Sequence, residues 1–360
     1  MAEIRLQQVT KRFGQRPALA DLTLTVADGE FFVLLGPTGA GKTTTLRLIA
    51  GLERPSAGTI LIDGQDVGPL SPAERDVALV FQYYSLYPRY SVRQNLEFPL
   101  RSRARRLGER EIAARVAAAA ATLRIDHLLD RRTDRLSGGE MQRVSIGRAI
   151  VREPRAFLMD EPLSNLDAKL RELLRAELKD LQTKLRATFL FVTHDQIEAM
   201  SMGDKVGVLD GGQMVQIGTP WEIYNNPRNL FVAGFVGSPG INLLSGEIRD
   251  GLIAMDSAGF AVPVRGPRLE RLAGRGGAVT LGIRPEDVRI DPAGDAEARV
   301  FAVEDHGVER IVALRARESL IRATVPATAP RLAIDDPVRF GWNEAKLHLF
   351  DTATGETLLQ

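Results

Sequence analysis

Gly36-Pro37-Thr38-Gly39-Ala40-Gly41-Lys42-Thr43-Thr44 is a run of residue types suited to gripping phosphate. Residues 36–43 fit the pattern G-x-x-x-x-G-K-[S/T], in which glycines let successive backbone N–H groups turn toward phosphate oxygens. Its place matters as much as its letters. The run lies between an apolar segment that reads as a strand, 31–35, and a helical pattern at 43–50, so the positive end of a helix also faces the anion. Lys42 can reach the β- and γ-phosphates of a nucleoside triphosphate, and the Thr43 hydroxyl can ligate Mg²⁺. The chemistry on offer is phosphoryl transfer.

Two acids complete that expectation. Phe157-Leu158-Met159 reads as a short buried strand that ends in Asp160-Glu161. Asp160 is placed to hold the metal, directly or through water, and Glu161 to polarise an attacking water. His194 follows a second buried strand, 189–192. It therefore sits at the carboxyl edge, where ligands of such sheets bind, within reach of the γ-phosphate. Leu136-Ser137-Gly138-Gly139-Glu140 offers a second glycine-rich grip far downstream. One chain has little use for two grips on one nucleotide, unless the second serves a nucleotide held by a neighbouring copy. That points to paired ATP-binding subunits and a motor.

The bulk composition narrows the class without naming it. The chain has 360 residues, with 47 Lys and Arg against 46 Asp and Glu, for a net charge of +1. Such a balance gives no support to nucleic-acid binding, which usually shows a basic excess. There are no cysteines, so disulfides, thiolate metal sites and a cysteine nucleophile are excluded. The first residues alternate polar and apolar like a strand and show no secretory pattern. No run of 18 apolar residues occurs, so the chain is not expected to span a membrane by itself.

Along the first half, short apolar runs at 22–26, 31–35, 157–159 and 189–192 alternate with helical patterns, predicting an α/β layer with a largely parallel sheet. A helix is predicted over 109–123, where the alanines at 117–121 suit close packing or an easily formed exposed helix. Leu166, Leu170, Leu173, Leu174, Leu178, Leu181 and Leu185 recur at helical spacing and predict an apolar stripe turned inward. Near 237 the texture changes. Short alternating segments at 278–283, 288–290, 299–303, 310–314, 320–325 and 338–340 predict a small all-β sandwich or barrel.

The order GPTGAGKTT, Gln82, LSGGE, FLMDE, Ser164-Asn165-Leu166-Asp167, His194 resembles the ATPase subunit of ATP-binding-cassette (ABC) transporters, across about residues 3–235. The resemblance implies an α/β P-loop NTPase cassette over 1–236, a mixed sheet with a helical subdomain at about 88–155, followed by a small all-β OB-like regulatory domain over 237–360. It implies ATP and Mg²⁺ as cofactors. Gln82 would contact the metal and sense the γ-phosphate, alongside Thr43 and Asp160. Ser137, Gly138, Gly139 and Glu140 would face the ATP held by the partner subunit, with Asp167 in the loop that crosses the dimer interface. Phe13 would stack on adenine. Glu161, His194 and Lys42 would carry catalysis.

Further stretches resemble one branch. Residues 80–88, 194–200 and 231–239 are similar to carbohydrate importers of the maltose and glycerol-phosphate type, as is Gly282-Ile283-Arg284-Pro285-Glu286-Asp287-Val288 in the β-rich tail. That branch implies a homodimer at the cytoplasmic face of the inner or plasma membrane, holding two transmembrane permease subunits and, through them, an extracytoplasmic solute-binding protein. Polyamine, sulfate and iron importers carry related tails, and a soluble cassette ATPase of DNA repair or translation is the reading from another class. Two features stand apart. The signature ends in Glu140 where the family usually has Gln, bringing a carboxylate toward the partner's nucleotide. Four of the five tyrosines fall between Tyr83 and Tyr90, a stretch that in the family receives the coupling helix of the membrane subunit. The arginines at 101–106 read as a solvated helix face.

Overall fold

The computed structural model describes residues 2–102, 106–249, 252–263, 272 and 276–359. It separates into two compact units, Met1–Pro220 and Trp221–Gln360. The division in space falls ahead of the change of texture at 237, because two short helices belong with the strands that follow them.

In the first unit the elements run β1 Ile4–Phe13, β2 Arg16–Val26, β3 Phe31–Leu35, α1 Lys42–Ile49, β4 Ala57–Ile62, β5 Gln65–Asp66 and β6 Val77–Val80. The helices α2 Val92–Glu97, α3 Glu109–Thr122 and α4 Gly138–Ile150 come next, before β7 Ala156–Asp160. The unit closes with α5 Ala168–Leu185, β8 Thr188–Thr193, α6 Gln196–Met202, β9 Lys205–Asp210 and β10 Gln213–Gly218. One sheet is antiparallel, in the order β2-β1-β4-β5, and the other is mixed, in the order β10-β9-β3-β8-β7-β6. In the second sheet all pairings are parallel except the antiparallel edge β9–β10. Strands β3 and β8, FFVLL and TFLFVT, are buried at every position, as central strands covered on both faces must be. The helices α2, α3 and α4 lie between β6 and β7 in sequence, within the stretch expected to form a helical subdomain.

The leucine stripe of α5 is narrower than its spacing predicts. Leu174, Leu178 and Leu181 are buried, but Leu173 is exposed. A residue one position off an i, i+4, i+7 row points about 100° away from it. Leu166 precedes the helix, and Asp167 caps it by accepting from the Leu170 N–H at 3.0 Å. In the alanine run of α3, Ala119 and Ala120 are buried and the others exposed, so the run packs along one edge. Arg101 lies between Glu97 and Glu109 at 3.0 and 2.7 Å, outside any helix. Arg103 and Arg105 lie outside the described residues.

The second unit carries α7 Pro220–Asn225, whose first residue closes the first unit, and α8 Leu230–Phe235, followed by strands β11 Asn242–Arg249, β12 Leu252–Met255, β13 Phe260–Pro263 and β14 Gly277–Ile283. After these come β15 Val288–Ile290, β16 Ala296–Asp305, β17 Glu309–Ala316, β18 Ser319–Pro326, β19 Pro337–Trp342 and β20 His348–Asp351. They form two five-stranded sheets, β13-β12-β11-β14-β20 and β15-β19-β16-β17-β18, sharing one apolar core. All the segments that the alternating pattern marks beyond 276 are strands. The stretch 242–263 holds three more, whose paired register the sequence pattern does not mark.

Within this unit Arg284 fastens the helices to the strands. Its guanidinium is buried and donates to the carbonyls of Ala233, Val236 and Tyr224, while its plane lies 4.0 Å from the centroid of the Tyr224 ring. The Tyr224 hydroxyl donates to Glu286. The Arg-Pro-Glu-Asp stretch is therefore a turn that holds two helix ends.

Candidate active site

The loop 36–44 leaves the carboxyl end of β3 pressed against main chain. A Cβ on Gly36 would stand 2.2 Å from the Leu209 carbonyl oxygen. Gly41 has φ +105°, and a Cβ there would meet the Ala18 carbonyl oxygen at 2.7 Å. No side chain fits either place, so the glycines are required by the fold as well as by phosphate. Lys42 opens α1 with its side chain buried, and its Nζ donates to the carbonyls of Gly36 and Pro37 at 2.9 and 3.0 Å. Glu161 Oε1 lies 3.5 Å from the same ammonium. Burial lowers the Lys42 pKa from its ordinary value, with the carboxylates of Glu161 and Asp160 working against the shift.

Thr43 Oγ1 donates to Asp160 Oδ1 at 2.9 Å. Burial pushes the Asp160 carboxyl up; the Thr43 hydrogen bond opposes this and the neighbouring Glu161 adds to it. A carboxylate made costly by desolvation, beside a hydroxyl, is an oxygen pair that a hard divalent cation suits. Among the described residues no group of three or more His, Asp or Glu forms a metal cage.

Glu161 stands just past the end of β7 with φ +44°, in the left-handed region that a non-glycine residue enters at a cost of order 1 kcal/mol. Its N–H donates to the Val192 carbonyl of β8 at 3.0 Å, which fixes the turn. The carboxylate thereby lies between two partners, Lys42 on Oε1 and His194 Nδ1 on Oε2 at 2.9 Å. Gln82 joins this group at one remove. Its Nε2 is 3.4 Å from Ser164 Oγ, which in turn donates to the Glu161 carbonyl at 2.9 Å. Asn165 Nδ2 donates to the Gln82 carbonyl at 3.1 Å. The bridging role of Ser164 is not legible from residue type alone; the Ser164-Asn165-Leu166-Asp167 run is the sequence signal for it. Arg171 was also missed. It contacts Asp195 at 3.3 Å and the Leu166 carbonyl at 3.2 Å, tying the start of α5 to the end of β8.

Other expected residues stand apart from this cluster. Phe13 is 50% exposed, with Lys11 Nζ 4.8 Å from its ring centroid, so it is a surface platform and not a core residue. Ser137 is the N-cap of α4, and Gly138 and Gly139 form its first turn. A Cβ on Gly139 would meet Leu170 of α5 at 2.4 Å, a packing reason for glycine there. Glu140 turns its carboxylate back to accept from the Ser137 N–H at 2.7 Å, while Ser137 Oγ accepts from the Glu140 N–H at 3.4 Å. This reciprocal capping box, which Glu or Gln can close, keeps the Glu140 carboxylate at the start of its own helix. Among the described residues, neither Ser137 nor Glu140 bonds to the loop 36–44.

The Ser137 N–H, accepted in hydrogen bond, holds the Glu140 carboxyl below its ordinary pKa; burial works the other way, and Arg131 at 3.9 Å helps. A depressed carboxylate stabilises the fold above its unfolded pKa, and that stability is lost as pH falls through the folded value. Glu140→Gln is expected to cost about 0.5 kcal/mol at pH 7. The gap should persist at the ordinary glutamate pKa and close only at lower pH, about pH 2.5, where the folded carboxyl is protonated as well. Urea melts at the two pH values measure this, and an unchanged gap would remove the charge from the cap.

The tyrosine-rich stretch divides in two. Tyr87, Tyr90 and Phe98 pack as an aromatic cluster with centroids 4.5–6.3 Å apart. Asn95 and Thr133 bind the Tyr87 main chain, and Arg148 lies 4.8 Å from its ring centroid. Tyr83 is 75% exposed.

The ABC transporter family profile matches residues 19–164, the MalK OB fold domain 237–288 and the TOBE domain 281–350. The sn-glycerol-3-phosphate import ATP-binding protein of Rhizobium meliloti is 47% identical, covering 98% of this chain and 99% of that one. The chain belongs to the ABC transporter ATPases. The xylose/arabinose import ATP-binding protein of Haloferax volcanii is 45% identical over 99% of this chain and 96% of its own. The trehalose/maltose import ATP-binding protein of Thermococcus litoralis is likewise 45% identical, over 99% and 100%. Among solved structures, a dimeric ATP-binding cassette bound to ADP and Pi superposes with TM-score 0.54 at 30% identity, covering 60% of this chain and 98% of that one. A component of an ABC transporter complex from Clostridium perfringens gives 0.57 at 29%, covering 61% and 89%. As an ABC ATPase with an OB/TOBE tail, the protein is an ATP-hydrolysing enzyme. No helix among its described residues is long and apolar enough to cross a membrane.

Proposed function

We propose that this ABC ATPase powers uptake of a carbohydrate or sugar-phosphate-like solute, working as a homodimer on the cytoplasmic face of two permease subunits that receive solute from an extracytoplasmic binding protein. One observation carries the ATPase reading: the loop 36–44, Asp160, Glu161 and His194 meet at the carboxyl ends of β3, β7 and β8. The full-length similarity to xylose/arabinose, glycerol-phosphate and trehalose/maltose import ATP-binding proteins supports the solute class.

In this reading the N–H groups of 36–44 and the Lys42 ammonium bind the phosphates, and Phe13 offers a face to adenine. Thr43, Asp160 and Gln82 would hold Mg²⁺, which neutralises charge on the phosphates when bound. Glu161 accepts a proton from the attacking water, and His194, hydrogen-bonded to its Oε2, keeps the carboxylate aimed. Gly138 and Gly139 at the start of α4 present N–H groups, and Ser137 its hydroxyl, to the nucleotide of the partner subunit, and Asp167 caps a helix beside that interface. Capture of the tagged protein from solubilised membranes is expected to recover two hydrophobic permease chains. Recovery of ribosomes or DNA in their place would overturn the assignment.

A further inference from the structure

The second unit holds a cleft of about 950 Å³ that none of the chemistry above uses. Its volume is in the range of small-molecule sites. Part of its wall is apolar, from Val325, Leu332 and Val338. The rest carries four arginines, Arg299, Arg315, Arg317 and Arg339, against two acids, Asp291 and Glu297.

The acids are already engaged. Glu297 lies 2.7 Å from Arg339, and Asp291 accepts from the Ala293 N–H at 2.8 Å. Among the described residues the other arginines have no carboxylate partner. Arg299 donates to the Asp335 carbonyl at 2.9 Å and Arg317 to the Asp256 carbonyl at 3.3 Å. Arg315 lies with its guanidinium carbon 4.2 Å from the Phe301 ring centroid, a stacked placement that limits its freedom before any ligand arrives.

Arg299 and Arg315 are, moreover, directly opposed in the β16–β17 register. Like charges directly across an antiparallel pair are destabilising. An anion accepting from both guanidinium groups turns that repulsion into attraction, and the planar forks of arginine suit carboxylate and phosphate oxygens. The apolar wall then covers the remainder of the molecule. We propose that this cleft binds an organic anion, a carboxylate or phosphate attached to an apolar skeleton.

The test uses the full chain saturated with Mg-ATP and the fluorescent anion 1-anilinonaphthalene-8-sulfonate, with the uncharged N-phenyl-1-naphthylamine as its control. One equivalent of the anion is expected to bind, displaced by phenyl phosphate or benzoate but not by phenol. The relative strength of the two competitors distinguishes phosphate from carboxylate. Arg299→Gln/Arg315→Gln should weaken the anion at least tenfold and leave the neutral probe unchanged. Glu297→Gln releases Arg339 and should tighten the anion several-fold, a gain that misfolding does not produce when the neutral probe stays constant. The proposal fails if no stoichiometric anion binding occurs, if the double variant binds like wild type, or if both probes change together.

Discussion

Glu161→Gln is expected to slow ATP hydrolysis by ~10²–10⁴-fold, the range for loss of a general base, while ATP still binds. Gln keeps the size and most of the hydrogen-bonding shape of Glu, so its side chain can still meet His194, now 2.9 Å from Oε2. The φ of +44° that aims it is set by the Glu161 N–H bond to the Val192 carbonyl, and a side-chain amide leaves that bond intact. Only proton acceptance and the charge are removed. Loss of the charge also touches Lys42, whose buried ammonium is 3.5 Å from Oε1. That ammonium keeps the carbonyls of Gly36 and Pro37, and bound phosphate supplies new negative charge. Single-turnover hydrolysis and equilibrium ATP binding separate the two effects. Trapped nucleotide should also hold two chains together, so sedimentation with and without ATP should show a dimer in the variant. Hydrolysis at near wild-type rate would remove Glu161 from the role of base.

Arg284→Met should destabilise the second unit by ~3–5 kcal/mol. Arg284 is 2% exposed, and burial pulls its pKa down, so the charge itself is expensive where it sits. Swapping a buried ion pair for apolar residues is often harmless, because both polar partners leave together. Here they cannot. The acceptors are the main-chain carbonyls of Tyr224, Ala233 and Val236, which remain whatever residue occupies 284. Each unpaired buried acceptor costs ~1–3 kcal/mol, and that decides the sign. The loss is large beside the 5–15 kcal/mol total of an ordinary domain. Lys should rescue little, since an ammonium cannot both stack on the Tyr224 ring, 4.0 Å from the guanidinium, and bond three carbonyls. Denaturant melts followed by circular dichroism, with proteolysis mapping which unit opens first, measure this. A shift below about 1 kcal/mol would mean that those carbonyls find other partners.

How much of this was legible depends on distance along the chain. The loop 36–44, its flanking strand and its helix are consecutive, so residue types and spacing state them together. The strands 157–159 and 189–192 were readable as unbroken apolar runs, because central parallel strands are buried on both faces. The tail strands beyond 276 showed in alternation. Leu173 was misplaced because seven leucines at helical spacing do not say where the buried stripe ends. Strands β11 to β13 were missed because sheet pairing between residues such as Glu247 and Ala254 is a fact about partners.

Glu140 and Arg284 show the limit most clearly. From sequence, Glu140 was a departure from a family pattern whose carboxylate pointed at a partner's nucleotide; in the fold it bonds the Ser137 N–H three residues back. Arg284 read as part of a turn, yet its partners lie 48 to 60 positions away. Thr43 and Asp160 are 117 apart and still touch. The sequence by itself determined which groups could handle phosphate, because that chemistry needs particular side chains on a local backbone shape. Only the tertiary structure decided which of them meet, since strand order β3-β8-β7 and the turn at Glu161 bring together residues that share no local interaction.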